Sequence, residues 1–304
     1  MKLIKIKFFF IIIILTSLLS ANDFMQIVAI QNGMSTYAIA RALKKAGVIQ
    51  SEKLFLVLVR LRRADKKLKT GTYSFKQKSS ILKVINKLVK GEGLLTKVMI
   101  PEGISKQEIA LRLAAHSLGD ESKFLEIINK KKLEGYLFPD TYYFSPTLSE
   151  DQILSEMLET FHDQTFDILN NVSNKDEIII ISSLIEKEAK IISEKPMIAS
   201  VIYNRLKKRQ YLQIDATVQY VLENKYGNRK KRLFFKDLKI KSPYNTYLRS
   251  GLPPGPICSP SLTSIKAALF PADTNYYFYV RSKKNDGSHI FSETFRKHLR
   301  AKKK

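Results

Sequence analysis

Two glutamates, Glu186 and Glu188, stand close together in an isoleucine-rich stretch, DEIIIISSLIEKEAKIISE, at residues 176–194. The spacing of its apolar residues predicts a helix whose acidic first turn is favoured by the helix dipole. At about 100° per residue, Glu188 lies in the middle of an apolar stripe, whereas Glu186 projects to the opposite side, toward water, on a polar face with Ser182, Ser183 and Lys190. The stripe comprises Ile181, Leu184, Ile185 and Ile192.

A carboxyl group among apolar side chains has its charged form disfavoured, so its pKa rises. A raised pKa suits a general acid that works near neutral pH, and Glu188 is the candidate. A buried Glu paired with Lys or Arg explains the same pattern, because structural ion pairs also perturb pKa values. The helix alone leaves both interpretations open.

Composition narrows the class of protein. The chain has 304 residues, of which 44% are hydrophobic, enough for one large or two modest domains. Its 52 Lys and Arg against 28 Asp and Glu give a formal charge of +24, which predicts a polyanionic partner: nucleic acid, an anionic membrane or an acidic cell-wall polymer. The single cysteine, Cys258, excludes an internal disulfide. We expect no metal and no organic cofactor, since metal-ligand spacings and nucleotide-binding glycine motifs are missing from the sequence.

The N-terminus predicts export. Lys2, Lys5 and Lys7 precede a charge-free apolar run, Phe8–Ala21, a pattern typical of membrane targeting. We expect residues 1–22 to be an uncleaved anchor, with a cleaved signal peptide as the alternative. Either outcome places the rest of the chain outside the cytoplasm, which counts against nucleic acid as the partner.

An internal repeat follows. Residues 30–43 and 100–113 share six identities at a constant offset of 70, namely Ile, Gly, Ser, Ile, Ala and Leu. Each copy ends a short β run, turns at the Gly and caps a helix with the Ser. Residues 24–92 read as β-α-α-β-α, form the first predicted domain, and resemble a LysM-like glycan-binding module.

The remaining pattern predicts an α+β fold. Helices are expected at residues 149–170, 176–194, 196–208, 215–225 and 261–270, and short strands near 276–280 and 289–292. The proline- and glycine-rich stretch 242–260 cannot be regular structure and predicts a fixed loop of functional interest. We expect a solvated basic loop at 225–241 and a frayed basic tail from Arg296.

Seven motifs in order resemble the endolytic murein transglycosylases, the MltG or YceG-like family, over about residues 25–299. They are PEGIS, LEGYLFPDTYYF, IEKEAKIISEKPMIASVIYNRL, LQIDATVQY, YNTYLRSGLPPGPI, AALFPADTNYYFYV and GSHIFSETF. The resemblance implies a single-pass inner-membrane protein with a LysM-like module and a periplasmic catalytic domain at residues 93–300. It also implies cleavage within nascent peptidoglycan strands to leave 1,6-anhydro-N-acetylmuramic acid ends, termination of strand elongation, and contact with peptidoglycan synthases.

The resemblance also assigns residues. Glu188 matches the catalytic general acid/base. The residues that match the family's substrate cleft and its walling loop are Tyr203, Asn204, Arg205, Gln213, Asp215, Tyr244, Asn245 and Thr246. Two departures from the family pattern are Ala216, where a Pro is usual, and the residues before His298, where an acid is common; we therefore set His298 aside.

Two other functions remain open on the sequence. A non-catalytic peptidoglycan-binding scaffold would keep the fold without the chemistry, and the presence of Glu188 argues against it. A nucleic-acid-binding protein is suggested only by the charge, and the export signal opposes it.

Overall fold

The computed structural model describes residues 25–227, 229–230, 232–284 and 286–303. The predicted anchor at residues 1–22 lies outside the described residues. Among those described, none of the helices combines the length and hydropathy that crossing a bilayer requires. The chain divides into two compact units: one holds the described residues up to Leu95 together with Ser145–Thr147, and the other holds Thr96–Phe144 and the chain from Leu148 onward.

The first unit is a small α/β module. Its elements are β1 (Met25–Ile30), α1 (Thr36–Lys45), α2 (Glu52–Leu61), β2 (Gly71–Lys76) and α3 (Ile81–Lys90). The two strands pair antiparallel, with Ile30 opposite Gly71. Ser35 caps α1, and Gly91 ends α3 in the left-handed conformation that glycine adopts without strain. Buried residues including Leu43, Phe55, Tyr73 and Leu88 form the core of this unit.

The second unit begins with the same order of elements. These are β3 (Thr96–Met99), α4 (Lys106–Ala115), α5 (Glu121–Lys131) and β4 (Thr141–Phe144), and β3 pairs antiparallel with β4. Ser105 caps α4 in a capping box with Glu108, as Ser35 caps α1. The predicted strand–turn–helix is therefore present in both copies of the repeat, and each copy extends to a full β-α-α-β unit.

The rest of the second unit is mostly helical. It comprises α6 (Glu150–Leu169), α7 (Lys175–Glu188), α8 (Lys195–Lys207), α9 (Asp215–Tyr226), α10 (Leu262–Leu269), β5 (Phe278–Arg281), β6 (His289–Ser292) and α11 (Phe295–Lys303). A core of buried side chains from α7, α8 and α10 holds it together, including Leu184, Ile185, Ile198, Ile202 and Ile265. The described residues form small antiparallel sheets among many helices, which confirms the α+β class.

The isoleucine-rich helix differs from its prediction in two ways. It ends at Glu188 rather than Glu194, because the backbone at Ala189 is extended. The next helix begins at Lys195, with Pro196 in its first turn, where the missing N–H of proline costs nothing. Ile192 is 65% exposed and does not belong to the stripe. The predicted polar face is also wrong: Ser182 and Ser183 are fully buried, and their hydroxyls bond back to backbone carbonyls one turn earlier.

The solvated basic loop predicted at 225–241 is present in part: Arg232, Lys236 and Lys239 are exposed, whereas Arg229 pairs with Glu223 and Lys230 pairs with Asp237. The tail from Arg296 is not frayed but belongs to α11, where His298 packs against the Phe278 ring of β5.

Candidate active site

Glu188 occupies the last position of α7, and the residue as a whole is half-buried. The Tyr279 hydroxyl of β5 donates a hydrogen bond to Glu188 Oε2 at 2.9 Å. Burial raises the pKa of Glu188; the Tyr279 hydrogen bond and the electrostatic influence of His289 and Arg205 oppose that rise, while Asp215 adds to it. Because burial dominates, this carboxyl keeps its proton to a higher pH than a solvated glutamate does.

Tyr279 is a fixed donor. Burial and the neighbouring Glu188 charge raise the pKa of Tyr279 far above its ordinary value, so the phenol stays protonated. Its ring packs edge-on against His289, with centroids 5.5 Å apart, and against Phe291 at 6.2 Å. These contacts hold the hydroxyl in place beside Glu188.

A second carboxylate holds the histidine. Glu194, in the short 3₁₀ turn Ile192–Glu194, accepts the His289 backbone N–H at 2.9 Å and lies 2.7 Å from His289 Nδ1. Glu194 is only 7% exposed. The turn after α7 is therefore bound to β6, and a continuous series of contacts runs from Glu194 through His289 and Tyr279 to Glu188.

Arg205 of α8 lies close to the same site. Its Nε donates to the Tyr277 carbonyl at 2.7 Å and its guanidinium donates to the Leu212 carbonyl at 2.6 Å. The guanidinium also lies 5.4 Å from the centre of the Phe278 ring. Arg205 thus joins α8 to β5 and leaves a positive charge close to Glu188.

Tyr203 and Asn204 hold the segment that leads into β5. The Tyr203 hydroxyl donates to the Ala268 carbonyl at 2.8 Å, and the Asn204 amide donates to the Thr274 and Tyr276 carbonyls at 2.8 and 2.9 Å. Their polar atoms are therefore engaged within the fold, and they position the backbone that carries Tyr279.

The predicted loop residues separate into two groups. Asn245 and Thr246 are buried: the Asn245 amide donates to the Leu238 and Ile240 carbonyls, and Thr246 Oγ1 accepts the Ile214 N–H. They shape the loop from inside. Gln213 and Asp215, by contrast, are exposed.

The exposed pair lies at the start of α9. Gln213 has a positive φ of 51° and its N–H donates to the Thr246 carbonyl, while Asp215 accepts a hydrogen bond from the Tyr247 hydroxyl. Tyr244 packs on the Tyr220 ring at 4.9 Å and lines a different cavity, so the structure does not bring it to Glu188.

Glu186 does not face water, contrary to prediction. Its side chain is 10% exposed, and Oε2 accepts from Lys195 Nζ at 3.1 Å, from the Ser261 N–H at 3.0 Å and from Ser264 Oγ at 2.6 Å. Burial favours a higher pKa for Glu186, but the hydrogen bonds from Ser261 and Ser264 outweigh it and lower the pKa. The two glutamates are therefore in opposite protonation environments, and Glu186 ties α7 to the start of α10.

Sequence reasoning did not single out Tyr279, His289 or Glu194. Tyr279 and His289 stand inside the two C-terminal motifs, AALFPADTNYYFYV and GSHIFSETF, which were the available signal. Within the described residues, no group of three or more His, Cys, Asp or Glu is arranged to hold a metal ion.

An α+β domain with one desolvated, hydrogen-bonded carboxyl at a helix end defines a candidate acid–base enzyme. Comparison with known proteins gives the family: the YceG-like family matches residues 28–304, and the chain belongs to it. An endolytic murein transglycosylase of Bacillus subtilis is 35% identical, covering 90% of this chain and 83% of that protein. One from Streptococcus pneumoniae serotype 2 is 27% identical, and the alignment covers 83% of this chain but 53% of the relative.

A solved structure agrees with this assignment. The crystal structure of a YceG-like protein from Listeria monocytogenes is 31% identical in sequence, with a TM-score of 0.58. The match covers 92% of this chain and 99% of that one.

Proposed function

We propose that this protein is an endolytic peptidoglycan lytic transglycosylase. It cleaves the MurNAc–GlcNAc bond within glycan strands and leaves 1,6-anhydro-MurNAc ends. The curated relatives are named for this activity, and the observation that carries the proposal is the desolvated Glu188 carboxyl with Tyr279 donating to it at 2.9 Å.

In the first step Glu188 acts as general acid. Its carboxyl proton passes to the glycosidic oxygen while the bond from that oxygen to C1 of MurNAc breaks, which leaves an oxocarbenium-like sugar. Because its pKa is raised, Glu188 keeps this proton to a higher pH than a solvated glutamate does, as a general acid requires. The Tyr279 hydrogen bond then stabilises the glutamate anion that remains.

In the second step the same carboxylate acts as general base. It takes the proton from the C6 hydroxyl of that MurNAc residue, and the oxygen bonds to C1 to close the anhydro ring. No water is consumed, so one carboxyl suffices where hydrolytic glycosidases use two.

We propose different roles for the family-matched residues. We assign substrate contacts to the exposed Gln213 and Asp215, and we expect the Arg205 charge to favour the anionic state of Glu188. Tyr203, Asn204, Asn245 and Thr246 are assigned to positioning, because their polar atoms bond within the fold.

The remaining architecture follows from the sequence patterns. We propose that residues 8–21 anchor the chain as a single span in the inner membrane, with residues 24–92 as a LysM-like module and 93–300 as the periplasmic catalytic domain, near the peptidoglycan synthases. The +24 charge then faces acidic strands and anionic lipid. A strand–turn–capped-helix repeat and the basic segment before the apolar run support this arrangement.

The test is product analysis in isotopically labelled water. Purified glycan strands incubated with the full-length, detergent-solubilised protein should yield anhydro ends without label. Labelled reducing ends would make the protein a hydrolase. Retained but uncut strands would favour a non-catalytic scaffold.

A further inference from the structure

A cavity of about 750 Å³ lies within the second unit, and Glu188 does not line it. The C-terminal end of α5, the N-terminal half of α7 and the proline-rich loop form its walls, through Lys132, Asp176, Ile180 and Pro256 among others. At 1.5 Å per residue, the Asp176 end of α7 is roughly 18 Å from the Glu188 end. The cavity is therefore separate from the catalytic carboxyl, and a polymeric substrate is long enough to reach both.

The proline-rich loop packs closely on its neighbours at the cavity. A Cβ atom at Gly135 would lie 2.6 Å from Pro256, and one at Gly255, which lines the cavity, would lie 2.9 Å from the Tyr244 hydroxyl. A side chain at either position would require its neighbours to shift. The cavity is present in the structure without a ligand.

The lining is cationic. Three lysines contribute to it, and two of them are engaged: Lys106 Nζ donates to Asn129 Oδ1 at 2.7 Å, and Lys131 pairs with Asp151. The Lys132 ammonium, at the left-handed C-cap of α5, has no ion-pair partner in the part of the chain that the structure describes. One positive group at the rim is therefore available to a ligand.

The two carboxyl groups that line the cavity already accept hydrogen bonds from within the protein. Asp176 accepts the Tyr136 hydroxyl, and the buried Glu134 accepts the Lys106 N–H and the Tyr220 hydroxyl, each at 3.0 Å. Burial raises the pKa of Glu134 to about 7, so it carries only part of a negative charge near neutral pH. The cavity keeps a net positive charge.

Packing of the aromatic rings argues against a sugar as the occupant. The Lys106 ammonium lies 5.7 Å from the centre of the Tyr220 ring, and Tyr220 packs on Tyr244 at 4.9 Å. Tyr136 packs edge-on against Phe161 at 5.3 Å. These rings already have partners within the protein, whereas the Lys132 ammonium has none among the described residues, which favours a carboxylate over a stacked sugar ring.

We propose that this cavity binds the carboxylate-bearing peptide stem of the glycan strand, with Lys132 as its main charge contact. The proposal rests on the proposed function and adds a recognition site for the non-sugar part of the substrate. The proposal makes the efficiency of cleavage, kcat/KM, depend on the presence of stems.

Binding is measured by calorimetry with the full-length protein in detergent. The probe is the synthetic tripeptide Ala-γ-Glu-Lys with free carboxylates, and its carboxamide analogue is the ligand control. The wild type should bind the free acid in preference to the amide. Lys132→Gln should raise Kd about fivefold, the upper range for a partly exposed charge pair. Lys130→Gln is the matched control, because Lys130 is an exposed lysine on the same helix that does not line the cavity.

Equal binding by wild type and Lys132→Gln, or an equal loss of affinity in Lys130→Gln, would overturn the proposal, since the effect of Lys132 would then be absent or due to general charge.

A second experiment compares cleavage of strands with and without peptide stems, the latter prepared with an amidase. Lys132→Gln should lower kcat/KM on stem-bearing strands and leave stem-free strands unchanged. If wild type and Lys132→Gln cleave both kinds of strand at the same rate, the stem site is contradicted but the proposed function is not. If neither protein forms anhydro product from either kind of strand, the proposed function is contradicted. The calorimetry then still tests whether the cavity binds the peptide.

Discussion

The Tyr279 hydroxyl lies 2.9 Å from Glu188 Oε2 and joins strand β5 to the last residue of helix α7. Tyr279 stays protonated because burial raises its pKa, so it always donates and Glu188 always accepts. The bond opposes the desolvation of Glu188 without cancelling it. A carboxyl group with a raised pKa, whose anion is also stabilised by a hydrogen bond, suits a residue that acts first as general acid and then as general base.

Removing this hydroxyl should therefore shift the pH profile. In Tyr279→Phe the pKa of Glu188 rises, so the alkaline limb of kcat/KM, set by loss of the Glu188 proton, moves to higher pH. The maximal kcat should fall about tenfold because the anion loses a hydrogen bond. Tyr277→Phe is the control, since the Tyr277 ring packs under Lys208. An unchanged limb in Tyr279→Phe would show that the hydroxyl does not act on Glu188.

Glu186 should matter for stability rather than for the chemical step. Glu186→Gln leaves the Lys195 ammonium, 5% exposed, without its carboxylate partner. Breaking a buried pair in this way costs about 3 kcal/mol or more in the free energy of unfolding. Denaturant unfolding measures the loss, with Glu177→Gln as the exposed control on the same helix. A variant as stable as the wild type but devoid of activity would contradict this assignment.

The Glu134 carboxyl should make stability depend on pH. Its folded pKa of about 7 exceeds its ordinary value of 4.5, so the stability it contributes is complete below the lower value and declines as pH rises toward the higher one. Burial dominates this shift, while Lys106 and Tyr220 oppose it and Glu223 adds to it. Relative to wild type, Glu134→Gln should gain about 3 kcal/mol between about pH 5 and pH 8. Glu126→Gln, on an exposed position of α5, should show no such trend, and a flat difference for Glu134→Gln would refute the account.

The membrane anchor is tested by fractionation. If the run Phe8–Ala21 is retained, carbonate washing should leave the full-length protein in the membrane fraction. Removal of residues 1–22 should release the protein into the soluble fraction. A mature N-terminus at or just after Ala21 would instead establish cleavage of a signal peptide.

Local periodicity predicted the strand–turn–helix repeat and the α+β class because these depend on neighbours in the chain. The serine caps at Ser35 and Ser105 and the left-handed Gly91 can be predicted directly from the local sequence. The end of α7 could not be predicted, because the apolar pattern continues through Ile192 while the backbone turns extended at Ala189.

The error about Glu186 has a different origin. Its partners Ser261 and Ser264 follow the proline-rich loop in the chain, more than 70 residues after Glu186, so the periodicity of α7 cannot predict these contacts. The desolvation predicted for Glu188 is present, although Ile192, predicted to be part of the apolar stripe around it, is exposed. Tertiary contacts of this kind set the pKa of a side chain, and helical geometry alone does not supply them.

The central claim is that Glu188 supplies the proton, and the most direct measurement is mass analysis of products from purified glycan strands with wild type, Glu188→Gln and Glu186→Gln. Glu188→Gln keeps the shape of the side chain and removes the transferable proton, so anhydro product should fall by at least ~10²–10⁴. The same variant should be at least as stable as wild type at high pH, because a raised pKa means that ionising the buried Glu188 costs stability. Glu186→Gln should retain activity per folded molecule. Anhydro product from Glu188→Gln at the wild-type rate, with loss only in folded Glu186→Gln, would contradict the account.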